Sequence, residues 1–288
     1  MNKVFVTGSY GDIGTHLVNG LISKGYTVLE SVNSKVRIEE DEYFEAIKNP
    51  ESIDVLYHLA GKKYVPLSWE KPDEFIKSNI YGTSKVLEFC RKYNIKIIFI
   101  SSYAYGIPQY LPIDENHAVL SVNPYALSKK MAEELCVFYG KNYDLAYNII
   151  RPFNVYGSLK NKSLLIPEII SQILDGGPIK IKDLAPKRDY LHIDDMVEFL
   201  IISQENIMNE IYNLGSGLSY SVKDIIDMCQ SVYNTNYEII SSETIRKNEI
   251  PETISSIKKI ENVFNWNPKI SLKEGLFKMK NEIENSLK

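Results

Sequence analysis

Tyr125 and Lys129 stand four residues apart in Tyr125-Ala126-Leu127-Ser128-Lys129, directly after Pro124. A proline suits the first turn of a helix, and i, i+4 spacing then sets phenol and ammonium on one helical face. A free phenol titrates near 10, so a base useful at neutral pH needs its pKa lowered by about 3 units, worth about 4 kcal/mol. A nearby ammonium is one source of that shift. Such a pair alone is common on helix surfaces, and its meaning rests on its company. Upstream, the apolar run Ile97 to Ile100 predicts a strand that ends in Ser101-Ser102-Tyr103-Ala104-Tyr105-Gly106. Those hydroxyls fall at the carboxyl edge of a parallel sheet, where ligands bind.

A second chemical feature lies near the start, in Thr7-Gly8-Ser9-Tyr10-Gly11-Asp12-Ile13-Gly14. Gly8 permits a tight exit from a strand, Gly11 lets backbone N–H groups approach a pyrophosphate, and Gly14 lets helix and strand pack. The helix N-terminus adds about half a positive charge. The turn, with Tyr10, Asp12 and Ile13 among its glycines, predicts a dinucleotide site, and an oxidised nicotinamide would help to acidify the phenol. An acidic partner for the adenosine ribose is expected about 20 residues on. The chain has Val32-Asn33-Ser34-Lys35 there, and Glu30 lies slightly early. Asn33 takes the ribose position, and Lys35 or Arg37 can neutralise a 2′-phosphate, so NAD or NADP both fit, with a slight lean to NADP.

The elements that must position these residues follow the same logic. Val4 to Thr7 is short, apolar and ended by glycine, as a strand buried on both faces is. Ile13, Leu17, Leu21 and Ile22 have helical spacing, Gly25 closes the helix, and Thr27 to Val32 is a second strand. Further runs at Val55 to Leu59, Ile95 to Ile100 and Leu145 to Ile150 extend the alternation. This predicts an α/β fold, a Rossmann doubly wound parallel sheet. After Arg151 the rhythm loosens at Pro152, Gly157, Pro167, Gly176, Gly177 and Pro186. Residues 1–151 are therefore expected to be mainly dinucleotide-binding, and residues 152–288 mainly a smaller C-terminal α/β substrate-binding region with elements returning to the sheet. Ile257 to Phe264 and Leu272 to Leu287 are expected to be helices.

Composition bounds the alternatives. The 288 residues suffice for one large domain or two small ones, and 33 Lys and Arg against 37 Asp and Glu leave a net charge of −4. Nothing asks for nucleic acid. Cys90, Cys136 and Cys229 are far apart in sequence, without CxxC or metal-ligand spacing, so neither a disulfide framework nor a metal site is supported. No run approaches the roughly 18 apolar residues of a membrane span, and the first residues lack a signal-peptide pattern. The expectation is a cytoplasmic protein.

Taken together the motifs resemble the extended short-chain dehydrogenase/reductase family, the NAD-dependent epimerases and dehydratases of nucleotide sugars. The resemblance runs along nearly the whole chain: TGxxGxxG; HLAG at His58 to Gly61; Asn79 with Gly82-Thr83; SSxxYG; YxxxK; RPFNVYG at Arg151 to Gly157; RDYLHIDD at Arg188 to Asp195; YNLGSG at Tyr212 to Gly217; and NWNPK at Asn265 to Lys269. It implies that Tyr125 is the acid/base, that Lys129 lowers its pKa and holds the ribose, and that Ser101 is the hydroxyl donor to the reacting sugar oxygen. Ser102 is the fallback, because the match could slip by one. Leu59, Ala60 and Gly61 would line the cofactor, joined by Lys63, which otherwise reads as a plain surface lysine. Asn79 resembles the helical Asn near the cofactor, or else is a buried structural amide. Asn154 and Arg188 resemble the residues that bind the diphosphate of a nucleotide sugar, with Tyr103 and Tyr64 close to the sugar. Asp189 and Asp195 are expected to be structural, holding Arg188 and the next helix, and His192 to be packed.

Such a resemblance implies hydride transfer coupled to proton transfer by Tyr125 at carbon 4 of a nucleotide-activated hexose. Dehydratases carry a Thr-Asp-Glu triplet where this chain has Ser101-Ser102-Tyr103, so no acid is available to protonate a leaving hydroxyl. Dual 3,5-epimerase/reductases have a cysteine at the Tyr103 position and a histidine where Ser158 to Pro167 has none. A 4-epimerase retaining NAD and a 4-ketoreductase releasing NADP stand nearly even. A catalytically idle dinucleotide sensor is the alternative, against which the intact Ser101, Tyr125 and Lys129 argue. A homodimer through helices near Pro72 to Tyr93 and Asn123 to Tyr139 is expected from the resemblance.

Overall fold

A computed structural model describes residues 3–30, 36–159, 161, 163–244 and 249–286. Its strands are β1 (Lys3–Thr7), β2 (Thr27–Glu30), β3 (Val55–His58), β4 (Lys96–Ile100), β5 (Tyr147–Pro152), β6 (Asn154–Tyr156), β7 (Ile179–Ile181), β8 (Lys187–His192), β9 (Glu210–Leu214), β10 (Ser219–Ser221) and β11 (Ile239–Ser241). The main sheet has the order β2-β1-β3-β4-β5-β9. From β2 to β5 every neighbouring pair is parallel. The chain runs outward from β1 to β2 and then returns to place β3 on the other side of β1. The carboxyl ends of β1 and β3 therefore flank a topological switch point, where a doubly wound sheet binds its ligand.

These strands are short and apolar because helices cover both of their faces. Val4, Phe5, Val6, Leu56, Tyr57, Ile97, Ile98 and Phe99 are all buried. The helix Asp12–Ser23 buries Leu17 and Leu21, four residues apart as the periodicity predicts, together with Val18, whereas Ile22 of the expected stripe is exposed. Asn33 and Lys35 lie outside the described residues.

By contacts the chain divides into two units. The first comprises residues 1–106, 118–152 and 197–213, and the second residues 107–117, 153–196 and 214–288. The main change thus falls at Pro152 and Phe153, but residues 107–117 and 197–213 cross over, which apolar periodicity does not reveal. The second unit has its own core, in which Ile169, Ile170 and Ile179 pack with Ile225, Ile226 and Leu276. Its small sheets have the orders β10-β8-β6 and β11-β7. The terminal helices span Lys258–Phe264 and Leu272–Ser286.

Candidate active site

Sterics fix the glycine turn. Gly8 leaves β1 at φ +69°, and a Cβ there would stand 2.8 Å from the Ala60 nitrogen. A Cβ on Gly14 would lie 2.1 Å from the Gly8 carbonyl oxygen. That oxygen accepts from Gly11 N at 3.0 Å, closing the turn before the helix begins at Asp12. Gly11 caps the helix and places no side chain where an anion would sit. Beside the turn lies a cavity of about 330 Å³, lined by Gly8, Tyr10, Arg37, Glu39, Ala60 and Gly61 among others. The Ser9 hydroxyl in the turn is buried with no hydrogen-bond partner among the described residues. A glycine cradle, an orphaned hydroxyl and a cavity with a guanidinium in its wall fit the phosphates and adenosine of a dinucleotide.

The loop after β3 forms one wall and is pinned from two sides. Leu59 N and Ala60 N donate to Thr7 Oγ1 at 3.1 and 3.2 Å. Asn79 Oδ1 accepts from Lys62 N at 2.7 Å, while its Nδ2 donates to Lys62 O at 3.0 Å and Ser128 Oγ at 2.9 Å. Asn79 stands in a π-helical stretch, Ile76–Tyr81, an irregularity that recurs at functional sites. Lys63 Nζ reaches across the turn to Asp12 Oδ2 at 2.6 Å.

The helix Pro124–Tyr143, which carries Tyr125 and Lys129, starts where the sequence predicts, because Asn123 Oδ1 accepts from Ala126 N at 2.8 Å and Pro124 occupies the first turn. Tyr125 and Lys129 share a face, and Glu133 continues it one turn further. Lys129 is buried, and its Nζ donates to Ile100 O, the last residue of β4, at 2.5 Å and lies 4.4 Å from the Phe99 ring centroid. Burial pushes the Lys129 pKa down to about 8, and the Glu133 carboxylate opposes that fall. Glu133 forms a bidentate pair with Arg151 of β5, with contacts of 2.6 and 2.9 Å. Arg151 also donates to the Tyr105 hydroxyl at 2.8 Å, which donates to Asn213 at 2.6 Å. In the sequence Arg151 stands out only as part of a motif, and Glu133 carries a single local signal, an acid four residues after a lysine on the same helical face.

Tyr125 is half-buried, with Phe75 edge-on to its ring at 6.3 Å. Burial raises its pKa, and a hydrogen bond with Ser102 opposes the rise. The depressed phenol expected from Lys129 is therefore not a property of the chain alone, since desolvation outweighs what lowers it. Of the two adjacent serines, Ser102 lies by the phenol and lowers its pKa, whereas Ser101 Oγ is buried with no partner among the described residues. The one-residue slip allowed in the sequence analysis favours Ser102, because consecutive residues leaving a strand point to opposite sides. Tyr103 follows, half-buried.

In the second unit Asn154 Nδ2 donates to Asp189 O at 3.0 Å. Arg188 pairs with Glu249 and donates to Ile250 O at 2.6 Å. Asp189 does not hold Arg188. Its buried carboxylate accepts from Ser216 N and Oγ, Gly217 N, and Ser255 N and Oγ. Asp195 Oδ2 accepts from Lys269 N and Ile270 N. Both are structural as expected, but their partners are distant loops. His192 is buried edge-on to Tyr156 at 5.2 Å.

A doubly wound parallel sheet, a glycine turn beneath a helix, and a tyrosine and lysine one turn apart at the edge of β4 define a short-chain dehydrogenase/reductase. Residues 4–215 match the NAD dependent epimerase/dehydratase family, and the chain belongs to it. It is an enzyme of that family. UDP-glucuronate 4-epimerase of Thermodesulfobacterium geofontis is 30% identical over 96% of this chain and 94% of its own. GDP-6-deoxy-D-mannose reductase of Pseudomonas aeruginosa is 27% identical over 95% of this chain and 94% of its own. The crystal structure of UDP-glucose 4-epimerase from Thermotoga maritima with UDP-glucose superposes with a TM-score of 0.93 at 27% identity, covering 99% of this chain and 100% of that one.

Proposed function

We propose that this enzyme acts at carbon 4 of a nucleotide-activated hexose and is a nucleotide-sugar 4-epimerase. The observation that carries the reading is the Tyr125 phenol, with Ser102 beside it holding its pKa down and a buried Lys129 one helical turn away. A nicotinamide dinucleotide held at the glycine turn supplies the hydride acceptor. Tyr125 takes the proton from the 4-hydroxyl, and Ser102 orients the phenol and the reacting oxygen. Lys129 has three N–H donors; one meets Ile100 O, and the others serve the phenol and the ribose. Its positive charge, joined by that of an oxidised nicotinamide, brings the buried phenol into a working range. Ser101 backs this edge from the interior, and Tyr103 contacts the sugar.

Gly8, Tyr10, Gly11, Asp12, Ile13 and Gly14 hold the cofactor phosphates, with Leu59, Ala60, Gly61, Lys63 and Asn79 along its flank. Asn154 and Arg188 bind the substrate diphosphate, for which the planar guanidinium is suited. Similarity to 4-epimerases of UDP-glucose and UDP-glucuronate supports the reaction. Arg37 in the cavity wall favours a second reading, a 4-ketoreductase that prefers NADP; the P. aeruginosa structure complexed with NADPH, 25% identical with a TM-score of 0.92, supports it.

Exposed Leu127, Met131 and Phe138 along one stripe of the helix Pro124–Tyr143, with exposed Ile76 and Tyr81 in the segment 72–93, favour a homodimer, and we place the enzyme in the cytoplasm. Light scattering on purified protein measures the assembly. Releasing and identifying the copurified nucleotide tests the reaction. Stoichiometric NAD together with interconversion of C4 epimers supports the epimerase. An empty site filled by NADPH, with reduction of a 4-ketosugar, supports the reductase, and neither activity refutes both.

A further inference from the structure

His58 closes β3 and is wholly buried, a titratable side chain with no part in the chemistry above. Its Nδ1 lies 2.9 Å from Thr7 Oγ1 and its Nε2 2.9 Å from Thr83 Oγ1. Proton polarity along this row follows from counting donors. Thr83 has a single hydroxyl proton, which goes to Asn79 O at 2.6 Å. Toward His58 it can only accept, so Nε2 carries the imidazole proton and Nδ1 is bare. Thr7 Oγ1 already accepts from the Leu59 and Ala60 amides. Its own proton therefore points at Nδ1, since the competing Tyr57 carbonyl stands farther off at 3.5 Å. Burial, reinforced by the positive charge of Lys129, holds the imidazole pKa at about 3, so the ring is neutral at every working pH.

Both ends of this row finish on functional backbone. At one end, Thr7 fixes the amides of Leu59 and Ala60, and Ala60 lines the cavity. At the other, Thr83 fixes the carbonyl of Asn79. The Asn79 side chain grips both backbone groups of Lys62 and the Ser128 hydroxyl. Ser128 Oγ donates to Tyr125 O at 2.8 Å, inside the helical turn that carries Tyr125 and Lys129. Gly61 completes the fit, because a Cβ there would stand 2.8 Å from Asn79 Oδ1.

We propose that His58 is a positioning residue: a neutral Nε2–H imidazole that, through Thr7 and Thr83, holds the 59–62 wall of the dinucleotide cavity in register with the catalytic helix. This rests on the reading of the glycine turn as a dinucleotide site. Its role is geometric, and it contacts no reacting atom.

Thr83→Val keeps the β-branched shape and removes the hydroxyl, whereas Thr83→Ser keeps the hydroxyl. Each is titrated with NAD and with NADPH by fluorescence, alongside circular dichroism to verify folding. The expected result is affinity about tenfold weaker in Thr83→Val, the scale of one lost buried hydrogen bond, and restored in Thr83→Ser. Independently of any variant, nitrogen NMR of histidine-labelled wild-type protein should show His58 as the Nε2–H tautomer, without titration between about pH 5 and 8. An unchanged affinity in folded Thr83→Val, or a titrating or Nδ1–H imidazole, overturns the inference while leaving the proposed function intact. Wild-type protein that binds neither dinucleotide overturns the reading of the turn and the inference with it.

Discussion

Lys129 Nζ donates to the carbonyl of Ile100, which precedes the Ser101-Ser102 pair, so the ammonium one helical turn from Tyr125 is anchored to the strand end that presents the serines. The anchor uses one of three N–H donors and leaves two for the proposed roles at the phenol and the ribose. Lys129→Met keeps the length of the stem and removes the charge. Its kcat is expected to fall by about 10²- to 10⁴-fold, the span of general acid–base catalysis. Steady-state kinetics at saturating cofactor checks this.

Ser101 and Ser102 differ in what they touch. Ser102 acts on the Tyr125 phenol and lowers its pKa, and Ser101 Oγ is buried with no partner among the described residues. Ser102→Ala should lower kcat by about tenfold or more, whereas Ser101→Ala, which removes a hydroxyl that bonds nothing, should change it by less than about threefold. The reverse order in kcat would restore Ser101 as the donor.

Glu133 holds the Lys129 pKa up against burial. Neutralising it in Glu133→Gln, with Arg151 still charged beside it, lowers the Lys129 pKa further. The ammonium then deprotonates at lower pH, so the alkaline limb of kcat against pH is expected to move acidward relative to the wild type. Breaking this buried pair also destabilises the fold by about 3 to 5 kcal/mol, which urea unfolding measures. A limb that stays in place while stability falls would make the pair purely structural.

His58 stays neutral in the folded protein down to about 3 but takes up a proton below about 6.5 in the unfolded chain. Its contribution is complete above about pH 6.5 and is lost as pH falls toward 3. Between pH 7 and 5 this one group removes about 2 kcal/mol of stability. The pH dependence of unfolding in His58→Gln should be flatter than wild type by that amount, and equal slopes would contradict it.

The sheet, the glycine turn and the helix that carries Tyr125 and Lys129 were legible because their signals are local. Apolar spacing around Leu17 and Leu21, the contact of Gly14 with Gly8 and the cap at Asn123 all lie within a few residues of one another. Pairings across the chain were not. Arg188 meets Glu249 sixty-one residues away, and Asp189 meets Ser255 sixty-six away, distances over which periodicity carries no information. The choice between Ser101 and Ser102 turns on the direction in which each residue leaves β4, which a motif specifies only to within one position. The cavity beside the glycine turn was half legible: Arg37 was singled out and lines it, while Glu39, also in its wall and buried, lies in an acidic stretch that apolar periodicity does not mark.

Tyr125→Phe removes one oxygen and leaves the ring packed against Phe75. Followed by nicotinamide absorbance in a single turnover with saturating nucleotide sugar, the variant should bind dinucleotide as the wild type does and transfer hydride about 10²- to 10⁴-fold more slowly. Hydride transfer at the wild-type rate in Tyr125→Phe would contradict the account.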